Sequence, residues 1–304
     1  MLSADPGRAT EYRQACRRIR AGDAATAGAE LRRLSADIRR SVVTMIEHAG
    51  LGHVGGDLSV TDILVTCFWG VLAVDPERPG WPQRDRFVLS KGHCAAALYS
   101  TLAHSGFFPS SELASFMSPL SPLNGHPNRL KVPGVEASTG PLGHGFPIAA
   151  GCALAAALDG ESWRTVVVLG DGELQEGSCW EAAAVAAAHG ADQLIAVVDR
   201  NGLQLGGSTE SIVAIEPLAE RWRSFGWSVR DVDGHDQAAL SAELGAAPWT
   251  PGRPSVLIAH TDKGHGVPRL SGLTQSHYVV LSATQQARVQ SSLESFLSDP
   301  VRSR

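Results

Sequence analysis

Polar residues with the types and spacing of a metal-binding site follow two runs of apolar and β-branched residues. LGDGE, residues 169–173, follows the first run, and DRNG, residues 199–202, follows the second. If both runs are parallel strands, their carboxyl ends meet at one edge of a sheet, which brings Asp171 and Asn201 together. A carboxylate and an amide carbonyl are oxygen ligands that suit Mg²⁺, with phosphate oxygens and water completing its shell. The spacing therefore predicts a magnesium site.

The glycines beside Asp171 indicate that the same edge binds a diphosphate. Gly170 and Gly172 carry no side chain, so a phosphate group can come close to the backbone there. For each fragment alone there is a structural alternative, in which Asp171 caps the segment after it and residues 201–202 form a turn. The presence of both fragments, each after a strand pattern, favours the ligand site.

The alternation of helix and strand patterns around these fragments predicts the fold class. Short β-branched runs are typical of buried parallel strands, and Ala-rich stretches lie between them. This β-α-β order predicts an α/β fold, a parallel sheet with helices on both faces. The predicted strands are 85–90, 165–169, 194–198, 228–232 and 255–259, and the predicted Ala-rich helices are 148–158 and 180–189.

Helices and one long loop are predicted in the first half of the chain. The predicted helices are 31–50, 59–73 and the segment from Gly92 through Ala103. Gly50 is the expected C-cap of the first, Ser59 is the expected N-cap of the second, and Asp62 stands at its N3 position. Residues 118–147 are rich in proline and glycine and contain two histidines, so we expect a long functional loop.

We predict one domain, residues 31–285, between an N-terminal extension and a C-terminal tail. Residues 1–30 are polar and Arg-rich, which predicts a frayed or partly helical extension. Residues 286–304 form the predicted tail. The chain shows no internal repeat and no clear linker.

The composition argues against several classes of protein. Of 304 residues, 43% are hydrophobic and 19% charged, as in globular proteins. The net charge of −5 argues against nucleic-acid binding, which needs a basic surface. Five cysteines without a CxxC fit a reducing compartment. The start has no signal-peptide pattern, and the longest apolar run, 63–74, is shorter than the roughly 20 residues of a membrane span. We predict a soluble cytoplasmic protein.

The order of motifs along the chain resembles the transketolase family of thiamine diphosphate enzymes. The Gly-Asp-Gly turn with Asn201 is similar to the cofactor motif of these enzymes. Four further motifs are similar to the family's three histidine loops and its cofactor-covering loop: GHVGGDL at 52–58, DRFVLSKGH at 85–93, GHP at 125–127 and GVEASTGPLG at 134–143. The resemblance runs from about residue 35 to about residue 285. It implies a thiamine diphosphate-binding fold, with thiamine diphosphate and Mg²⁺ as cofactors.

The resemblance also implies a site role for each matching residue. Asp171, Asn201 and the backbone carbonyl of Leu203 are the implied magnesium ligands. Leu142 would pack on the cofactor and Gly140 would leave room for it. The residues that the resemblance assigns to cofactor binding are His93, Gly140, Leu142, Gly170, Asp171, Gly172, Glu173, Glu176, Asn201, Leu203, Lys263 and His277.

Four histidines match family positions that face cofactor or substrate, and all four are catalytic candidates. The resemblance assigns His93 and His277 to the diphosphate and thiazolium side, and His53 and His126 to substrate hydroxyls and proton transfer. Lys263 begins the loop that leads to His277 and could bind diphosphate or remain solvated. The other histidines divide into two groups: His48, His104, His189 and His260 are predicted to be structural, and His235 and His265 have no assigned role.

Two residues depart from the family pattern near the expected active site. His144 stands where the family usually has Gln, and Tyr278 follows His277 where Gly is usual. A tyrosine narrows and stiffens this loop, because the positive φ open to Gly is lost. Both departures suggest an altered substrate in a specialised pathway.

The resemblance covers only the first of the three domains of a full transketolase. The chain is therefore expected to be the N-terminal subunit of a split enzyme, whose pyrimidine-binding and C-terminal domains form a separate subunit. The family's glutamate that contacts the aminopyrimidine belongs to that partner. We expect a heterotetramer with two copies of each subunit. The Ala-rich helix 180–189 is predicted at a subunit interface, or alternatively in ordinary helix–sheet packing.

The expected reaction is transfer of a two-carbon ketol unit from a ketose-type donor to an aldehyde acceptor. One alternative is a thiamine diphosphate subunit that forms acyloins or uses α-keto acids. His53 and His126 favour the sugar-type reaction, because a keto acid donor needs no hydroxyl deprotonation. Another alternative is a non-catalytic scaffold subunit. A dinucleotide-dependent dehydrogenase is disfavoured because no GxGxxG follows the first strand.

Overall fold

The computed structural model describes residues 2–280 and 282–298. The α-helices are α1 (Pro6–Ala21), α2 (Ala24–Ala49), α3 (Val54–Val65), α4 (Ala95–Ser105), α5 (Gly145–Asp159), α6 (Gly177–Ala188), α7 (Thr209–Ile212), α8 (Leu218–Ser224), α9 (Gln237–Gly245) and α10 (Ala283–Leu297). The strands are β1 (Leu51–Gly52), β2 (Arg86–Leu89), β3 (Thr165–Gly170), β4 (Leu194–Arg200), β5 (Leu203–Gln204), β6 (Gly207–Ser208), β7 (Ser228–Asp233), β8 (Ser255–His260) and β9 (Val279–Val280).

Five parallel strands form the central sheet in the order β2-β3-β4-β8-β7. Each of the five predicted strands is present within a residue or two of its expected bounds. Alternate residues of β3 and β4 belong to two separate apolar clusters: Val166 and Val197 pack with α2, α3 and α4, whereas Val167 and Val198 pack with α5, α6 and α8. Helices therefore cover both faces, and the predicted α/β fold is confirmed.

The N-terminal extension is a packed helix rather than the frayed segment expected from its polarity. Ala9, Tyr12, Cys16 and Ile19 form one apolar stripe at helical spacing, and all four are buried. The Tyr12 hydroxyl donates to the Phe68 carbonyl over 2.7 Å. The many arginines between these residues hid the stripe in the sequence.

Both predicted domain boundaries fall inside helices. Residues 30 and 31 lie within α2, which begins seven residues earlier than predicted and is capped by Asp23, whose side chain accepts from the Thr26 N–H over 2.8 Å. Residues 285 and 286 lie within α10, which packs on α2 through buried Leu293. The extension and the described part of the tail thus continue the same fold; residues 299–304 lie outside the described residues.

The predicted start of the second helix at Ser59 is wrong. The helix α3 begins at Val54 with His53 at the N-cap position, and a π-helical turn, Thr66–Val71, continues it. Every residue of α3 is buried, so no amphipathic period marks its start. Ser59 instead donates to Asp199 Oδ2 over 2.7 Å. Among the described residues, Val54–Val71 is the one helix apolar and long enough to cross a membrane, but 94% of it is buried inside the fold, which is the position of a core helix.

The long Pro- and Gly-rich loop is present between residues 118 and 144, and α5 begins three residues earlier than predicted. The loop is tied to the sheet, because the Thr139 hydroxyl donates to the Leu89 carbonyl over 2.7 Å. It also buries Leu123 and Val132. The loop is therefore held against the carboxyl end of β2.

Candidate active site

The carboxyl ends of β3 and β4 bring the two predicted fragments together, because these strands pair directly in parallel. The Gly202 N–H donates to Asp171 Oδ2 over 2.6 Å, which joins the turns that follow the two strands. Asp171 Oδ1 also accepts from the Gly172 N–H over 2.8 Å. The structural capping role of Asp171 thus coexists with the ligand geometry predicted for it. Asn201 belongs to the same turn, as expected.

Two cationic side chains bond to two of the three predicted magnesium-ligand oxygens. Arg200 Nη1 donates to Asp171 Oδ2 over 2.9 Å, and Lys263 Nζ donates to the Leu203 carbonyl over 3.1 Å. Burial raises the pKa of the Asp171 carboxyl, and the bond from Arg200 opposes that shift. The pocket is thus an oxygen-rich position that attracts positive charge, as a magnesium site requires.

These residues line a cavity of about 250 Å³ at the edge of the sheet. The lining residues are Gly56, Lys91, His93, Leu142, Gly170, Asp171, Gly172, Glu173, Asn201, Leu203, Gln204, Leu205, Gly206, Lys263 and His277. A Cβ on Gly172 would lie 2.7 Å from Gln204 Oε1, so the space beside this backbone exists only because residue 172 is glycine. The oxygen donors and the glycine cradle fit a magnesium–diphosphate group.

Glu173 lies beneath the cavity, where its carboxylate ties three segments together. It accepts from the Ser90 hydroxyl over 2.5 Å, from the Gly143 N–H over 3.0 Å and from the Gly170 N–H over 3.1 Å. Burial raises the pKa of this carboxyl. With its oxygens engaged by the protein, Glu173 positions the turn, in contrast to the direct cofactor contact predicted for it.

A second buried carboxylate, Asp199, anchors the floor of the site. It accepts from Lys91 over 2.5 Å, from Ser59 over 2.7 Å and from the Thr261 hydroxyl. Burial alone would raise the pKa of the Asp199 carboxyl, but attraction to the Lys91 ammonium outweighs it and lowers that pKa. These bonds join α3, the loop after β2 and the loop after β8 to the end of β4.

The four predicted histidines form one cluster beside this cavity. The ring centroid of His53 lies 5.3 Å from that of His93, 6.1 Å from that of His126 and 5.7 Å from that of His277. The rings of His93 and His277 are 5.2 Å apart. Residues from α3, from the loop after β2, from the long loop and from the segment before β9 therefore converge, as the resemblance implied.

The site keeps these imidazoles uncharged at neutral pH. Burial, with help from nearby positive groups, lowers the pKa of His53 to about 4 and that of His277 to about 3. Burial also lowers the pKa of His93 and of His126. An uncharged imidazole has one donor and one acceptor nitrogen, so each ring can either hold a hydroxyl or accept its proton.

Lys263 joins the metal-ligand edge to the histidine cluster. Its Nζ lies 2.9 Å from His277 Nδ1 as well as 3.1 Å from the Leu203 carbonyl. Burial lowers the pKa of this ammonium to about 8. The side chain is 2% exposed, so the solvated alternative for Lys263 is wrong.

The remaining predicted residues lie at the border of the cavity. Leu142 lines it, and a Cβ on Gly140 would lie 3.1 Å from the ring of His126. Glu176 is exposed where α6 begins, which is compatible with the subunit interface expected there. His144 is also exposed, and its Nδ1 lies 2.9 Å from the Leu142 carbonyl.

The ring of Tyr278 covers one side of the histidine cluster. Its centroid lies 4.9 Å from that of His53, although the side chain is 44% exposed. The antiparallel pairing of β9 with β1 places Val279 opposite Gly52 and so fixes this approach. The departure from the family pattern therefore sits directly at a predicted catalytic residue.

Sequence reasoning missed the buried charges that hold the site. Lys91, Asp199 and Arg200 stand inside the quoted motifs, yet none was given a role. A charged residue at the end of a β-branched strand pattern was the available signal, because it must be paired when buried. The network at His235 and His265, described below, was left without a role for the same reason.

Comparison with known proteins identifies the group to which this site belongs. Residues 31–296 match the family described as transketolase, thiamine diphosphate binding domain. The chain belongs to the transketolase family. This match confirms the predicted family, and with it thiamine diphosphate as the cofactor of this domain.

Several transketolase subunits are similar to this chain over most of their length. The first subunit of the apulose-4-phosphate transketolase of Phocaeicola vulgatus is 40% identical over 81% of this chain and 88% of that protein. The 6-deoxy-6-sulfo-D-fructose transketolase subunit SqwG of Clostridium sp. is 40% identical over 81% of this chain and 89% of that protein. The prediction of a transketolase-type transferase subunit of the split kind is confirmed.

Solved transketolases share the fold over a longer chain. The transketolase of Campylobacter jejuni superposes with a TM-score of 0.81 at 30% identity, over 87% of this chain and 42% of that one. The transketolase of Pichia stipitis in complex with sedoheptulose 7-phosphate gives 0.81 at 30% identity, over 90% and 42%. This transketolase subunit therefore spans about two fifths of those chains.

Proposed function

We propose that this subunit supplies the magnesium, diphosphate and proton-transfer groups for transfer of a two-carbon ketol unit from a ketose-type donor to an aldehyde acceptor. The observation that carries the proposal is the convergence of the Asp171–Asn201 edge and four uncharged histidines on one cavity. Thiamine diphosphate, when bound, supplies the carbanion chemistry of the transfer. The chain supplies position, charge and proton transfer.

The metal-ligand edge holds the anionic end of the cofactor in this proposal. Asp171, Asn201 and the Leu203 carbonyl hold Mg²⁺, and the Gly172 backbone accepts the diphosphate. His93, Lys263 and His277 face the same cavity from the other side. A cationic ammonium and neutral imidazole donors balance a diphosphate charge that Mg²⁺ alone does not neutralise.

His53 and His126 act on substrate hydroxyls. A ring whose pKa is lowered to about 4, as for His53, is unprotonated at neutral pH and can accept a hydroxyl proton. His126 is exposed and packs on Gly140, at the outer side of the cluster. These two residues favour a hydroxylated ketose donor over an α-keto acid, which remains the alternative donor class.

The substrates belong to a specialised pathway in this proposal. The two similar subunits are named for an apulose phosphate and a sulfonated deoxyfructose. Tyr278 covers His53 here and leaves less room at the histidine cluster. We therefore expect a ketose donor with a non-standard terminal group, and a short aldehyde acceptor.

A separate pyrimidine-binding subunit completes the site. The complex is a heterotetramer with two copies of each subunit in the cytoplasm. Exposed apolar residues on neighbouring helices support an interface at α5 and α6, since Ile148 is 44% and Val185 is 47% exposed. The glutamate that the cofactor's aminopyrimidine requires comes from the partner.

The test uses this subunit with the separate pyrimidine-binding subunit, thiamine diphosphate and Mg²⁺. Calorimetry measures cofactor binding, and hydroxypyruvate with a panel of aldehydes measures ketol transfer. Binding and turnover should require both subunits and be lost in Asp171→Asn, whereas Asp231→Asn, an exposed carboxylate on β7, should change neither. Tight binding with turnover of α-keto acids alone would favour the acyloin-forming alternative. Absence of Mg²⁺-dependent binding with both subunits would favour the scaffold alternative.

A further inference from the structure

His235 lies behind the cavity, between a buried carboxylate and the turn that carries Lys263. Its Nδ1 lies 2.7 Å from Asp62 Oδ2, and its Nε2 accepts from the Asp262 N–H over 2.9 Å. Because Nε2 accepts a hydrogen bond, the ring proton is on Nδ1, where it is donated to Asp62. Both ring nitrogens are therefore used, and the imidazole bridges α3 and the loop after β8.

Asp62 is itself fixed, so the bridge has a rigid end. Arg39 of α2 donates to both of its oxygens, over 3.0 and 2.6 Å. Burial alone would raise the pKa of the Asp62 carboxyl, but the Arg39 guanidinium outweighs it and holds that pKa well below its ordinary value. A buried, bidentate Arg–carboxylate pair has one geometry.

Asp62, His235 and His265 have the side chains of a metal site, with one ligand atom of each within 4.8 Å of the others. The hydrogen bonds argue against that function. Both nitrogens of His235 are engaged, and Asp62 is held by Arg39. A metal ion there would have to break the Arg39 pair and displace a ring proton.

His265 reinforces the bridge from the far side of the same turn. Its ring stacks on that of His235 with centroids 3.5 Å apart and planes 12° apart, and it meets the Phe296 ring of α10 edge-on at 5.2 Å. Gly264 has φ +83°, and a Cβ there would lie 2.7 Å from the Leu270 carbonyl. Residues 262–266 thus form a tight turn that is clamped between two imidazoles and a glycine.

We propose that His235 is a positioning residue, which holds the Asp262 amide and thereby sets the place of Lys263 against the Leu203 carbonyl and His277. Lys263 follows Asp262 directly, so a shift of the tethered amide moves the Lys263 backbone with it. The inference rests on the proposed cofactor role of Lys263. It gives His235, far from any reacting atom, an effect on cofactor affinity.

Two substitutions separate the two bonds of His235. In His235→Gln, the side-chain oxygen can reach the place of Nε2 and keep the Asp262 N–H bond. In His235→Asn, the amide nitrogen takes the place of Nδ1, which keeps the Asp62 bond and loses the tether. His260, an exposed histidine at the end of β8, supplies the matched controls His260→Gln and His260→Asn.

Three quantities are measured with the full chain and its partner subunit: hydrogen exchange of the Asp262 amide, the unfolding midpoint, and the Kd for thiamine diphosphate with Mg²⁺. We expect the His235→Gln protein to keep the Asp262 amide protected and its Kd within about twofold of the original. We expect His235→Asn to free the amide and weaken binding by about tenfold, as loss of an outer-shell partner does. The His260 variants should change none of the three.

Equal effects of the Gln and Asn variants on Kd would overturn the inference, because a purely structural role does not distinguish the two bonds. Protection of the Asp262 amide in His235→Asn would overturn it as well. Lys263→Met tests the underlying proposal separately. If Lys263→Met leaves the Kd unchanged, the cofactor role of Lys263 fails, whereas the tether can still be judged from amide exchange.

Discussion

Nζ of Lys263 lies 2.9 Å from Nδ1 of His277. An ammonium group only donates, so Nδ1 of His277 accepts and the ring proton is on Nε2. His277 therefore offers an N–H donor on its other side. The contact selects the tautomer that suits an anionic ligand such as a diphosphate.

The backbone at Gly172 should tolerate no side chain when the cofactor binds. A Cβ there meets Gln204 Oε1 at 2.7 Å, so Gly172→Ala fills the space left for the diphosphate. We expect the Kd for thiamine diphosphate with Mg²⁺, measured by calorimetry, to rise at least about tenfold, or by roughly 1.4 kcal/mol. The control is Gly177→Ala in α6, where nothing lies within 4 Å of the added methyl. Equal affinity in both variants would exclude a close approach at Gly172.

The buried pair Lys91–Asp199 should be strongly coupled. Asp199→Asn leaves the Lys91 ammonium buried without its counter-charge, which costs roughly 3–5 kcal/mol of unfolding free energy. The double variant Lys91→Met with Asp199→Asn should lose less than the sum of the single changes. Urea unfolding of the four proteins gives the coupling energy. Additive losses would show that the two charges are stabilised independently.

Tyr278 should limit the size of the substrate at His53. Tyr278→Gly removes the ring 4.9 Å from His53, and we expect kcat/KM for the longer aldehydes to rise by roughly tenfold relative to the shortest one. Tyr278→Phe keeps the ring and should keep the original preference. Val280→Thr, at an exposed position on the same strand, is the control. An unchanged preference in the Gly variant would place the selectivity on the partner subunit.

His265 should make the fold sensitive to acid. Burial and the Arg39 guanidinium lower its pKa to about 2, against about 6.5 in the unfolded chain. The unfolded state then binds more protons, so stability is full above pH 6.5 and falls as the pH drops below it. Between pH 7 and pH 5 this residue should cost roughly 2 kcal/mol. Urea unfolding at both pH values should show a smaller loss in His265→Phe; an equal loss would contradict the assignment.

The sequence was most informative where pattern and packing coincide. β3 and β4 are buried on both faces and read as unbroken apolar runs, so the Asp171–Asn201 edge could be predicted from them. The start of α3 could not, because a helix buried all round has no polar face and Gly55 with Gly56 suggested a loop. The His235–Asp62 bond joins residues 173 positions apart, and no local pattern indicates such a pairing.

The two protein cations at the metal edge have a thermodynamic consequence. Since Arg200 and Lys263 already bond to Asp171 and Leu203, Mg²⁺ arriving alone would meet positive charge and gain little. A diphosphate arriving alone would meet the carboxylate of Asp171. Each of the two makes the site more favourable for the other, and by reciprocity their affinities rise together by the same factor. Metal and cofactor are therefore expected to load as a cooperative unit, each titrating weakly without the other.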